Sequence, residues 1–474
     1  MLTSSRSRSS GDFLPIVVFV AVMLALKWSL VWRYGNATPF WDQWDAEAAF
    51  LYLPWINGQM EWADWLRAHN EHRILLPRIL LIGLFELNGR DWNPLLQMTV
   101  NAILHVLALT LLLLWLGRTL DKRARLVLWG AGLLTLLPPF GHQSVLEGIQ
   151  SAYYFFFLFS FIHLHSMAVD EVFGWRWLWG LISGILSYLS LASGAVTLLV
   201  GALVLAARAW TYWHSGASSR YAVKSAIVAS VLLGCLVVAS VVMTPTQPAH
   251  AGMRSHDFSE TLYAAITLLA WPSPVLWLGM ITIQLPWVVL MFMMMLRVGY
   301  RTPDRFFVMG VGLWVAGHIA AISLVRASEV GATRYLDILV ISLPLNIAAW
   351  LDIQGDYRSR VRAVWYGLGL LWVGLVFWGG LRQLPDIRDG LGHRRVTALE
   401  QEHNLRAFLC TGDMRNLQGK GVLQVPYPHP KRLAHILESP GVREFLPHNI
   451  YRNDPLDPRG VPGDPMCQRR VSSP

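Results

Sequence analysis

A chain of 474 residues, 54% hydrophobic, only 15% charged and carrying 23 tryptophans, lies far from soluble usage. That balance excludes a string of soluble domains and fits one polytopic membrane domain with a polar appendix. The net charge of +9 does not imply nucleic acid: Lys and Arg are scattered among short loops, form no stripe and belong to no recognisable nucleic-acid module.

In chain order, residues 1–12 read as a basic cytoplasmic tail before an apolar run that is too long for a signal-peptide core and lacks a small-residue cleavage site. It reads as a retained first span. Further apolar runs near bilayer length follow, and the spans are placed at about 13–33, 93–117, 124–141, 150–169, 175–192, 194–210, 223–243, 272–296, 306–325, 335–351 and 364–381. The fold class expected is therefore an all-α polytopic membrane protein with about eleven transmembrane helices. With the N-terminus inside, GRTLDKRAR, VDEVFGWRW, RAWTYWHSGASSRYAVK, RVGYRTPDR and DYRSRVR become cytoplasmic loops. Each carries Lys or Arg, as the positive-inside rule requires. No repeat of fixed period is visible, which argues against an inverted-repeat transporter.

Between the first two spans lies a polar loop, residues 34–92, on the outer side. Counting ILLPRILLIGLFEL within it as a span would export GRTLDKRAR, so it is read as an interfacial helix, one of two in this loop. The loop opens with Phe40-Trp41-Asp42-Gln43-Trp44-Asp45 and continues through His69-Asn70-Glu71-His72-Arg73 to Pro77-Arg78. Residues three apart share a helix face, so Asp42 with Asp45, and His69 with His72, are expected to point into one pocket. A partly desolvated carboxylate beside Trp41 and Trp44 suits a general base; the alternative is an interfacial helix with solvated acids and anchoring tryptophans. Arg73 and Arg78 suit phosphate oxygens. No metal is expected; His69 and His72 with a carboxylate are the weak alternative, a divalent ion.

Two other outer loops supply polar groups. HQSVLEGIQSAYY brings His142, Gln143, Glu147 and Gln150, and RASEVGATRYLD brings Arg326, Glu329, Arg334, Tyr335 and Asp337. Charges at outer span edges fit an anionic headgroup or pair with each other, Arg326 with Glu329. His318 reads as a packed core histidine and Cys235 as a packing residue. The tail, 382–474, reads as an amphipathic helix over VTALEQEHNLRAFLCTGDM and Pro-punctuated short helices after it. It is too small for a large core of its own and is expected to pack on the outer face of the membrane domain. An oxidising compartment makes Cys410–Cys467 a candidate disulfide.

A first span, an outer loop opening on acids and holding interfacial helices, a multi-span body and an outer appendix together resemble the GT-C superfamily of membrane glycosyltransferases, with HNEHRILLPR and LEGIQSAYY resembling its bacterial members. The resemblance covers most of residues 13–381 in architecture. It implies a polyprenyl-phosphate-linked sugar donor, an envelope glycan, lipid or protein acceptor, membrane lipid around the body, and no cofactor. It also implies a catalytic aspartate at the start of the first outer loop, matched by Asp42 with Asp45 as the other candidate. Arg73, Arg78, Arg326 and Arg334 are matched by position to the donor phosphate. The location implied is a bacterial inner membrane with the tail periplasmic or extracellular; the alternative function is a transporter or flippase for a lipid-linked sugar.

Overall fold

The structure, a computed structural model, describes residues 13–215, 220–355 and 359–450. Apolar segments in a bilayer must satisfy every backbone group internally, which favours helices. The described residues are accordingly helical, with no β-strand beyond one isolated bridge, His69 to His72. Among them, nine helices are long and apolar enough to cross a membrane.

The difference from eleven falls on two segments. Residues 124–141 and 175–192 fold as Lys122–Leu136 and Trp175–Tyr188, helices of 15 and 14 residues, short of the roughly 20 that a bilayer needs. Pro138 and Pro139 follow the first closely and cannot donate to continue it. Asp121 caps the start of this helix beside Arg118, and Leu189, just past the other, accepts a hydrogen bond from Leu75 in the first loop. Phe258–Ala270, a 13-residue apolar helix, is an element the sequence reading passed over.

Ion pairs mark both ends of the bundle. At one, Arg118 meets Asp304 at 3.0 Å and His165 at 2.9 Å, and Arg305 holds Asp352 at 2.7 and 3.0 Å. The first loop and the other candidate residues gather at the opposite end. Between the ends, Phe156, Phe157, Phe161 and Trp314 pack face and edge in the centre of the bundle. His318 donates from Nδ1 to the Trp314 carbonyl at 2.7 Å, as a packed core histidine should.

The tail and first loop share a second core. Trp44, Tyr52, Phe85 and Trp92 from the loop close around Phe445, with Tyr52 stacked on Phe85 at 4.4 Å and Trp44 edge-on to Trp92 at 5.2 Å. Leu405, Phe408, Leu433 and Leu437 complete it from the tail. Burying each such side chain contributes about 1.5–3 kcal/mol. The tail therefore folds onto the loop rather than around a core of its own.

Candidate functional site

The loop enters through a strained turn. Trp41 has φ 49°, a left-handed conformation uncommon for a bulky residue, and residues Trp44–Tyr52 then wind as a π-helix. A π-turn is wider than an α-turn, and such segments often occur at functional sites. Asp42 lies before this helix and Asp45 within it, so the two carboxylates do not share a face as α-helical spacing would require.

Their partners differ accordingly. Asp45 belongs to the tail interface: Tyr427 donates its hydroxyl to one carboxylate oxygen, and Arg432 donates two nitrogens to the other at 2.9 and 3.1 Å. Asp42 faces the middle of the loop. Asn70 donates to it at 3.2 Å, and His69 Nε2 lies 3.3 Å from the same oxygen. The Asp42 side chain is 49% exposed. Burial works to raise its carboxyl, but the His69 contact above all holds it below the ordinary value. It is therefore ionised near neutral pH, with water on one side and histidines on the other.

His69–His72 is a tight turn. His69 and His72 exchange backbone hydrogen bonds at 2.8 and 2.9 Å, and Asn70 takes φ 51°, a conformation asparagine tolerates. The turn puts Asn70 and His69 on Asp42 and sends Glu71 the other way. Glu71 receives Arg326 at 2.9 Å and His250 at 2.5 Å. Against burial, those two partners hold its carboxyl low. His72 is pushed down to about 4 by burial and so is neutral, with Nδ1 accepting from Ala192 N at 3.3 Å. Asp42 and Arg326 thus flank a single four-residue turn.

The remaining candidates divide by what they touch. Arg73 donates to the carbonyls of Leu66 and Met243, and buried Arg78 to those of Trp65 and Arg67. Those bonds tie the loop backbone and the end of helix Arg220–Met243, while Nε of each arginine is buried with no partner among the described residues, and burial brings Arg78 down to about 10, leaving it charged near neutrality. Arg334, not Arg326, pairs with Glu329, and Tyr335 adds its hydroxyl at 3.4 Å. Glu147 accepts from Gln150 at 2.6 Å. Asn36, in the first loop, donates to Glu402 of the tail at 3.0 Å.

Sequence reading missed Glu47, and it missed Lys27 and His105 as the neighbours of Asp337. Glu47, fully buried, accepts from Gln43, Tyr52, Trp92 and Gln97 at 2.9, 3.3, 2.8 and 2.7 Å. Its signal was a carboxylate among alanines two residues after Asp45. Lys27, His105 and Asp337 line a cavity of about 20 Å³ beside Pro138 and Pro139, room for about one water. Both His105 ring nitrogens and one Asp337 oxygen lack hydrogen-bond partners among the described residues. A lysine inside the first apolar run was the visible signal.

Among the described residues, no group of three His, Cys, Asp or Glu is placed to hold a metal ion; His69 and His72 are engaged as above. Cys235 is an exposed free thiol. Cys410 is not free, and Cys467 lies outside the described residues. Neither family models nor characterised proteins match the chain.

Proposed function

We propose that the protein is a membrane glycosyltransferase that moves a sugar from a polyprenyl-phosphate donor to an acceptor hydroxyl, at the bundle end that carries the first loop. The observation that supports this reading is the different engagement of the two aspartates. Asp45 is closed by Arg432 and Tyr427, whereas Asp42 is ionised, half exposed and held by Asn70 and His69 across one turn from Arg326. In the reaction, Asp42 takes the proton of the acceptor hydroxyl as its oxygen bonds to the anomeric carbon. The carbon–oxygen bond to the phosphate breaks, and polyprenyl phosphate leaves with the electron pair, unprotonated. Arg326, released from Glu71, steadies that charge. One displacement inverts the anomeric centre. In this reading the loop end faces the outside of a bacterial inner membrane, the N-terminus is cytoplasmic, and an envelope glycan, lipid or protein supplies the acceptor.

Purified protein given a polyprenyl-phosphate sugar and a panel of envelope acceptors should release polyprenyl phosphate and form product of inverted configuration. Product of retained configuration would remove the single displacement.

A transporter of the same lipid-linked sugars is the second reading. Lys27, His105 and Asp337, buried within the bundle beside the Pro138–Pro139 break, favour it, because broken helices with intramembrane charges mark transport sites. It expects binding and movement of the donor without cleavage.

A further inference from the structure

A carboxylate buried with no cation beside it needs a reason, because each neutral donor offsets only part of its lost hydration. Glu47 has four such donors, drawn from two places. Gln43, Tyr52 and Trp92 come from the loop, and Gln97 from the long helix Pro94–Leu116. Oε1 takes Gln43; Oε2 takes Tyr52, Trp92 and Gln97. A glutamine here would have a single acceptor oxygen and would turn an NH2 toward Gln43 Nε2, so it cannot accept all four donors.

The network continues toward Asp42. Gln43 is itself buried, and its amide is fully used. Nε2 donates to Glu47 and to Gln97 Oε1, each at 2.9 Å, while Oε1 accepts the backbone N–H of Phe40 at 3.1 Å. That last bond closes the Phe40–Gln43 turn alongside Gln43 N to Phe40 O at 3.2 Å. Asp42 lies inside this turn, one residue past the left-handed Trp41. Rotating the Gln43 amide would release Phe40 and re-aim the aspartate. The space around the link is tight: a Cβ on Gly148 would fall 2.0 Å from Gln97 Oε1 and 2.8 Å from Gln43 Nε2.

We propose that Glu47 is a positioning residue, which acts through Gln43 and the Phe40 backbone to fix the direction of the Asp42 carboxylate against the rigid Pro94–Leu116 helix. It touches no reacting atom. That Asp42 is a catalytic base rests on the glycosyltransferase reading; that Glu47 aims Asp42 does not.

Two readouts keep these apart. In donor turnover, Glu47→Gln should lower kcat about 10- to 100-fold at little-changed donor KM, the cost of a displacement near 1 Å at a reacting group. Gln43→Leu should match it, and the double variant should be no worse than either single. Equal wild-type and Glu47→Gln kcat, or additive losses, would overturn the proposal. The second readout needs no activity. Asp42→Cys, made in the wild-type and Glu47→Gln backgrounds, is labelled with a charged, membrane-impermeant maleimide. A severalfold difference in labelling rate is expected, and equal rates would overturn it. If Glu47→Gln fails to fold, Gln43→Leu, which leaves the carboxylate its other three donors, carries both measurements.

Discussion

Arg432 closes on Asp45 with two guanidinium nitrogens on a single carboxylate oxygen, 2.9 and 3.1 Å away and 387 positions apart in sequence. The tail is thereby fastened to the loop by an ion pair as well as by the aromatic core around Phe445. Asp45→Asn should destabilise this junction by about 1–2 kcal/mol, less than a fully buried pair would cost because Arg432 is part-exposed. Limited proteolysis should show faster cleavage within residues 412–450 while the bundle stays intact. An unchanged cleavage rate would mean that the ion pair contributes nothing.

Glu47 should give stability a pH slope of its own. Burial raises its carboxyl from 4.5 to about 7. Between those values the folded state holds a proton that the unfolded chain has lost. Its contribution is thus complete below about pH 4.5 and is lost as pH rises through about 7. The span amounts to at most about 3 kcal/mol. His72, pushed down to about 4, has the opposite sign: its contribution is present above its ordinary value of 6.5 and lost as pH falls through 4. Subtracting the profile of Glu47→Gln from that of the wild type isolates the glutamate. The difference should shrink from pH 5 to pH 8 in thermal unfolding; a flat difference would contradict its raised pKa.

Gly148 is constrained by space rather than by backbone angle. A methyl group there meets the paired amides of Gln43 and Gln97. Gly148→Ala should cost about 1–3 kcal/mol and lower turnover in parallel, because the Phe40–Gln43 turn is what must move. Wild-type melting temperature and wild-type turnover together would show that the amides can shift freely.

Lys27 and Asp337 face one cavity from different helices. Removing one charge leaves the other buried and uncompensated, at a cost of about 3–5 kcal/mol, whereas removing both is far milder. In detergent, Lys27→Met and Asp337→Asn should each lower the melting temperature more than the double variant does. Additive losses would mean that the two charges do not sense each other.

Much of this was legible beforehand for reasons particular to each element. Apolar length marks the helices, and nine of the eleven expected spans have it. Lys122–Leu136 and Trp175–Tyr188 were read as spans because hydropathy carries on past the points where Pro138 and the Leu189–Ser193 turn end the helices. Asp42 and His69 could be singled out because polar residues crowd in a chain that has few. A shared pocket could be expected for them, but not which acid meets which histidine, since 27 positions and a left-handed Asn70 lie between the two contacts. The π-winding after Gln43 separated Asp42 from Asp45 where α-helical spacing would have joined them. Glu47 was passed over because its meaning lies in Trp92 and Gln97, 45 and 50 positions away. Arg73 and Arg78 stand out by charge in the sequence, but the carbonyls of Leu66, Met243, Trp65 and Arg67 that they meet do not.

The central claim is that Asp42, and not Asp45, is the base of a sugar transfer. The most direct test is turnover of a polyprenyl-phosphate sugar by Asp42→Asn and Asp45→Asn in lipid nanodiscs, each compared with wild type at equal folded protein. Asp42→Asn should lose at least about 10²–10⁴-fold in kcat, the usual worth of general-base catalysis, with donor binding retained. Asp45→Asn should keep most of its rate. Full activity in Asp42→Asn, or loss confined to Asp45→Asn, would contradict the account.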